Sequence, residues 1–411
     1  MTSNNYLPRI AERKIEELLG EFPAILLTGP RASGKTTTAM RFAKTVVRLD
    51  DPARARAFNA DPDAALRGLP EPILLDEWQV VPGVMGAVKR SVDSSSNAGR
   101  FILTGSASEK SITHLWPGTG RITHVPMYPM VERELRGADL KSSFIDKIIK
   151  GETATRSKEI FDLRDYIDCA ISSGFPEPRL HLTSSAQAQW LSSYLQQIAT
   201  KDVTDTGSRR DMGKFRQFLQ AYAINTAGIY EDKLLMDSAG ISRTTLRSYE
   251  QILANLGLSI ELQPWFSNQL KRLAKQSKRF VVDAAITANV MSYDTDAILG
   301  QGDVLGRVIE TFVLSQLLPD IAASIHRPNL YHLRTEKGRQ EIDLIVEVGN
   351  RIIAIEIKSS NAPSQRDARH IRWLHDELGE NFIAGIVFHT GQDIFEIEEK
   401  VTAIPISSIW S

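Results

Sequence analysis

Short, unbroken apolar runs alternate with longer stretches of helical period through the first third of the chain. Ala24-Ile25-Leu26-Leu27, Ile73-Leu74-Leu75 and Phe101-Ile102-Leu103 have no polar position on either face, the pattern of strands buried on both sides. With helical segments between them they predict an α/β fold, a parallel sheet with helices on both faces, over residues 1–140. A polar stretch at 141–158 interrupts the pattern. Beyond 160 the period lengthens, and Trp190, Leu191, Tyr194, Leu195 and Ile198 form one apolar stripe of a long helix that reads as core. Past residue 303 strand-like runs return around Gly349-Asn350, a two-residue turn that predicts a hairpin. The expected parts are 1–140, a helical region at 160–300, and a small α/β domain at 303–411.

The first run leads into Gly29-Pro30-Arg31-Ala32-Ser33-Gly34-Lys35-Thr36, a complete G-x-x-x-x-G-K-T, with Thr37 next in the first turn of a helix. Glycines let the backbone N–H groups curl toward a phosphate, Lys35 can neutralise β- and γ-phosphate oxygens of ATP, and Thr36 can place its hydroxyl on Mg²⁺. The second run ends in Asp76-Glu77, a carboxylate to hold Mg²⁺ and one to polarise an attacking water. Adjacent acids at a strand end suit hydrolysis better than transfer to an acceptor hydroxyl. The third run ends in Thr104-Gly105-Ser106, where Thr104 can sense the γ-phosphate or simply close a turn.

Residues 233–249 have the shape of a helix-turn-helix. Gly240 permits the turn, Ser242 caps the second helix, Leu246, Ile252 and Leu253 face inward, and Arg243, Thr244, Arg247 and Ser248 face out. Such a helix fits the major groove of DNA. Residues 260–265 can begin a wing, and Lys271, Arg272, Lys275, Lys278 and Arg279 place five positive charges within nine residues. The alternative is a module that joins proteins, its charges merely solvated.

In the C-terminal hairpin, pairing Val348 with Arg351 sets Asp343 opposite Glu356 and Glu341 opposite Lys358 on one face. Facing carboxylates repel by up to about 1 kcal/mol unless a cation or proton lies between them. The other possibility is a solvated face carrying a Glu341–Lys358 ion pair.

Charge narrows the picture. The 49 basic and 50 acidic residues nearly cancel, so affinity for nucleic acid must come from local patches. A single cysteine, Cys169, excludes intramolecular disulfides and a cysteine-based zinc site. No apolar run approaches the roughly 18 residues of a membrane span, and the expectation is a cytoplasmic protein without a membrane partner.

The phosphate loop, Leu74-Leu75-Asp76-Glu77-Trp78-Gln79, the Phe101-Ile102-Leu103-Thr104 run and Gly118-Thr119-Gly120-Arg121-Ile122 together resemble a family of prokaryotic AAA-class P-loop ATPases with a C-terminal domain of unknown function. The resemblance covers nearly the whole chain. It implies that Arg121 touches the γ-phosphate, within its own subunit or across a self-association contact. Trp78 departs from the aliphatic residue it suggests. Ser173-Gly174-Phe175-Pro176-Glu177 resembles the family's turn after the ATPase. Asp343 followed by Glu356-Ile357-Lys358 is similar to the core of restriction-endonuclease-like nucleases. By that likeness Asp343, Glu356 and the helical Glu310 bind Mg²⁺ or Mn²⁺, and Lys358 orients water. The chain thus reads as an ATP-hydrolysing protein acting on nucleic acid, DNA favoured, with a winged-helix element and a nuclease-like domain that either cleaves or keeps the fold without cleaving. Alternatives are a non-cleaving ATP-gated DNA-binding regulator, a protein-remodelling ATPase and a polynucleotide kinase.

Overall fold

The computed structural model describes residues 6–105, 120–204, 211–266, 276–335 and 339–411. Contacts divide the chain into two compact units, Met1–Met130 with Leu253–Leu258, and Val131–Ile252 with Ser259–Ser411.

The first unit runs α1 (Ala11–Glu21), β1 (Ala24–Thr28), α2 (Lys35–Ala39), β2 (Thr45–Arg48), α3 (Pro52–Ala60), α4 (Pro62–Leu66), β3 (Ile73–Asp76), α5 (Gly83–Ser94), β4 (Phe101–Thr104) and β5 (Ile122–Pro126). Among the described residues the strands lie in the order β2-β3-β4-β1-β5, every pairing parallel. Alternate residues of the apolar runs feed two cores. Leu26, Ile73, Leu75, Phe101 and Leu103 pack with Val84, Met85 and Val88 of α5, while Ile25, Leu27, Leu74 and Ile102 pack with Ile15 and Leu18 of α1. That two-sided burial is why the runs show no polar alternation. Trp78, unexpected at its position, lies fully buried in the first of these cores and fills it. Asp51 and Asp61 cap α3 and α4, each followed by a proline suited to the first helical position.

Because the sheet is parallel, the ends of β1, β3 and β4 open on one edge, where ligands of such sheets bind. Gly29 is required there: its φ is +139°, and a Cβ would lie 1.9 Å from the Met127 carbonyl oxygen.

The second unit contains α6 (Glu132–Leu135), α7 (Phe144–Ile149), α8 (Leu163–Ile171), α9 (Pro176–His181), α10 (Ser184–Thr204), α11 (Met212–Ile224), α12 (Asp232–Ala239) and most of α13 (Arg243–Asn255). Then follow β6 (Ser259–Pro264), β7 (Lys278–Val281), α14 (Ala284–Met291), α15 (Thr295–Leu299), α16 (Gly302–Ala323), β8 (Asn329–Arg334), β9 (Glu341–Val348), β10 (Arg351–Ile357), α17 (Arg369–Leu378), β11 (Phe382–His389), β12 (Phe395–Glu398) and β13 (Val401–Pro405). Its described strands form one mixed sheet in the order β12-β13-β11-β10-β9-β8-β6-β7. The helical region and the C-terminal segment therefore share a sheet, joined where Gln263 and Pro264 of β6 run parallel to Tyr331 and His332 of β8.

The β9–β10 hairpin pairs Val348 with Arg351 and Leu344 with Ile355, the register set by Gly349 at φ +62°. Both faces are covered, which changes the sequence picture. Ile342, Ile352 and Ala354 pack against Ile371 and Leu374 of α17, and Ile353 and Ile355 are equally buried on the other side. Glu356 is only 3% exposed, so it is not a solvated carboxylate. Nor does Lys358 pair with Glu341: Lys358 Nζ reaches its own strand's Glu356 at 2.9 Å, and Glu341 lies near Arg334 instead.

Polar anchors fix the helices. Asp283 caps α14 and accepts from Ser173 Oγ at 2.8 Å and Gly174 N at 2.9 Å, which holds the Ser173-Gly174-Phe175 turn. Asp320 of α16 accepts from Ser143 Oγ and Ile145 N, both at 2.8 Å, and lies 3.4 Å from the buried Arg133 guanidinium. Asp320→Ala would remove the carboxylate facing that guanidinium and leave the Ser143 hydroxyl and Ile145 amide without their acceptor. A loss of about 3–5 kcal/mol is expected, read by urea unfolding against wild type.

Candidate active site

The phosphate loop spans the end of β1 and the start of α2. Gly34 precedes the helix in a left-handed conformation, φ +93°, turning the first amides of α2 toward the loop's interior. Lys35 is buried, and its Nζ donates to the carbonyl oxygens of Gly29 at 3.0 Å and Pro30 at 2.7 Å. Burial pulls its pKa down to about 8, against the pull of Glu77 and Asp76. A lysine so poorly solvated gains strongly from phosphate oxygens. Thr36 donates to Asp76 Oδ1 at 2.7 Å, and Thr104 donates to the same oxygen at 2.6 Å. The strand ends of β3 and β4 thus hold one carboxylate against the loop, and Thr104 orients Asp76. Glu77 sits in the left-handed region, φ +54°, with its carboxylate bound by the Gln79 side-chain amide. That amide fixes the direction of the acid.

Arg9 was invisible in the sequence. It is buried, and its guanidinium donates to Ser33 O at 2.8 Å and Tyr128 O at 2.7 Å, so it braces the loop against the chain after β5. Nothing local marks it, because its partners lie 24 and 119 residues away.

Arg121 is not brought to this site. It precedes Ile122, which pairs with Ala24 at the start of β1, whereas the phosphate loop follows Thr28 at the other end. Four steps of strand separate the two edges by about 13 Å. Arg121 is 47% exposed and pairs with Asp93 at 2.7 Å, so contact with the γ-phosphate of its own subunit is excluded in this arrangement.

In the second unit, Glu310 of α16, Asp343 of β9 and Glu356 of β10 converge with Lys358, and a residue not assigned to them from sequence joins them. Lys278, the first residue of β7, is 3% exposed and donates to Asp343 Oδ1 at 3.0 Å while forming an ion pair with Glu310. Asp343 also accepts from Ile357 N at 3.0 Å. Burial works against the Asp343 carboxylate, but Lys278 and Lys358 outweigh it and hold its pKa low. Burial pushes Glu310 up to about 8, and burial with the neighbouring Asp343 raises Glu356 well above the usual carboxylate range.

Of the five positive charges read as a basic wing, Lys278 and Arg279 turn inward. Arg279 is buried and pairs with Asp232 at 2.7 Å and Glu250 at 3.1 Å. Lys271, Arg272 and Lys275 lie outside the described residues. Ser242, just before α13, and Arg243, Thr244 and Arg247 on it are exposed, and Leu246, Ile252 and Leu253 are buried. Arg247 bonds Asp232 at 2.9 Å and Glu250 at 3.1 Å.

Comparison with known families matches an AAA domain to residues 21–136, a domain of unknown function (DUF8612) to 163–297 and another (DUF4143) to 305–409. The chain carries an AAA domain towards its N-terminus and a domain of unknown function at its C-terminus, the make-up of a P-loop ATPase joined to a further domain. It is 27% identical over 407 residues to uncharacterized proteins of Mycobacterium bovis and Mycobacterium tuberculosis, a match covering 98% of this chain and 84% of each of theirs. Among solved structures it is similar to a Walker-type ATPase of Pyrococcus abyssi, at 13% identity, 68% of this chain, 94% of that chain and a TM-score of 0.39. A signal transduction ATPase with numerous domains from Pyrococcus horikoshii matches at 12% identity, 78% and 49% coverage and a TM-score of 0.20. Overlaps that loose carry no weight for function. Among the described residues no helix of the ATPase is long and apolar enough to cross a membrane.

The AAA domain supports ATP binding and hydrolysis, and a base role for Glu77 is the expectation that substitution tests. Glu77→Gln keeps the shape and the bond partners but not the base. ATP turnover should fall about 10²–10⁴-fold with nucleotide binding retained, measured by phosphate release beside equilibrium binding.

Proposed function

We propose that the ATPase is a nucleotide-gated DNA-binding protein of the cytoplasm, in which the state of the phosphate loop sets the affinity of a winged-helix element. The observation that carries the gating is chain continuity. The end of α13 and the turn after it, Leu253–Leu258, belong to the same compact unit as the phosphate loop. Gly257, at φ +66°, packs so closely that a Cβ would lie 2.9 Å from Pro30 N and 3.1 Å from Gly29 C. Reshaping of residues 29–30 around a phosphate is therefore felt at the foot of the helix that carries Arg243 and Arg247.

Mg²⁺ fits the first site on the chemistry of its donors. The Thr36 hydroxyl and Asp76 carboxylate are hard oxygens 2.7 Å apart beside the loop. These two residues would hold the ion, which supplies charge neutralisation of the phosphates. Glu77, directed by Gln79, takes the proton of the attacking water, and Lys35 holds the γ-phosphate in place.

The DNA reading is supported by the sequence of elements α12, turn, α13, then the antiparallel β6–β7 pair, with Gly240 at φ +58° in the turn. The exposed residues at the start of α13 are those that reach base edges when such a helix enters a major groove. Arg247, 57% exposed, can exchange its carboxylate partners for a backbone phosphate.

Fluorescence anisotropy with labelled duplex DNA tests the proposal. Affinity should differ about tenfold or more between ATP-bound and nucleotide-free wild type, and not at all in Lys35→Ala. Arg247→Ala should weaken binding and flatten its salt dependence by about one unit of slope. No binding to DNA in any nucleotide state would turn the reading toward a protein partner.

A further inference from the structure

The carboxylates that resemble a nuclease centre do not fit a divalent ion as they stand. Glu310, Asp343 and Glu356 come from three elements of the second unit, and a metal serving them would sit between the helix and the hairpin. That space holds the Lys278 ammonium, which bonds Asp343 Oδ1 at 3.0 Å and pairs with Glu310. The second cation, Lys358, bonds Glu356 Oε2 at 2.9 Å. Among the described residues no group of three or more histidine, cysteine or acidic side chains is arranged to take a metal.

We infer that Lys278 is a built-in replacement for the divalent cation of this site. It closes the site to metal and uses the acidic cluster to fasten β7 to β9 and α16.

Two features support this. Lys278 is almost wholly buried, and a lysine pays heavily for such a place unless carboxylates surround it. It opens β7, which pairs with β6, and among the described residues β6 pairs with β8 at two residues, so a tie from β7 directly to β9 and α16 adds a hold that the β6–β8 pairing does not supply. The inference does not depend on the nucleotide-gating proposal. It assigns the C-terminal domain a fold held by an internal ion cluster and no metal-dependent strand cleavage.

The test measures Mn²⁺ uptake by electron paramagnetic resonance on the full chain, nucleotide-free, in an Asp76→Asn background that silences the first site. The background protein should take up no Mn²⁺ at the second site. Lys278→Met, close in shape and without charge, should gain one Mn²⁺ with affinity about tenfold or more above background and a melting temperature that rises on adding Mn²⁺, whereas Lys278→Arg should gain none. If Lys278→Met folds only with Mn²⁺ present, the ion has taken the lysine's place and the inference stands. Mn²⁺ bound by the background protein and lost in Asp343→Asn would overturn it, as would a folded Lys278→Met that binds no metal. If Lys278→Met folds under neither condition, the background protein and its Asp343→Asn derivative decide: no Mn²⁺ in either upholds the inference.

Discussion

A carboxylate buried at the end of a β-strand must be given a partner, and the way each one is satisfied organises this molecule. Desolvating an ionised carboxylate costs several kcal/mol unless donors or a cation offset it. Asp76 is satisfied by two hydroxyls, from Thr36 and Thr104, which draw β3, β4 and α2 together around the phosphate loop. Asp343 is satisfied by an ammonium and a backbone amide, which draw β7 and β10 together in the other sheet. The two arrangements differ in the consequence for chemistry. Hydroxyl partners leave Asp76 with its charge available to a cation. The lysine partner consumes the charge of Asp343.

The first site is legible in the sequence because it is built from short segments whose spacing is local. The strand run, the glycine loop, the lysine and the first turn of α2 lie within residues 24–39, and the acids follow directly on a second strand run. Parallel pairing then needs only the usual rules for such sheets to bring the strand ends together. The hairpin register was legible for the same reason, since a two-residue turn at Gly349-Asn350 leaves one pairing. Arg9 and Gln79 were not, since one acts over a long sequence separation and the other is a common polar residue after a strand.

The C-terminal cluster shows where pattern reading fails. Lys278 sits in a run of basic residues and reads as one more solvated charge, yet it enters the interior because its partner Asp343 lies 65 residues away on the sheet. The same happens to Arg279, tied to Asp232 and Glu250. Counting charge by sequence window overestimates a basic surface whenever buried acids lie within reach. Arg121 fails for a topological reason: in a parallel sheet, the residue before a strand lies on the edge opposite the loops that follow strands. For the β9–β10 face the sequence left a solvated alternative open, because the period-2 pattern reports side-chain alternation, not whether the second face is covered.

The most direct measurement is a crystal structure of the full chain grown with Mn²⁺ and a non-hydrolysable ATP analogue, with manganese located by its anomalous scattering. One peak per chain beside Thr36 and Asp76, with Lys278 Nζ still between Glu310 and Asp343, is the expected result. A manganese bound among Glu310, Asp343 and Glu356 with Lys278 displaced would contradict it.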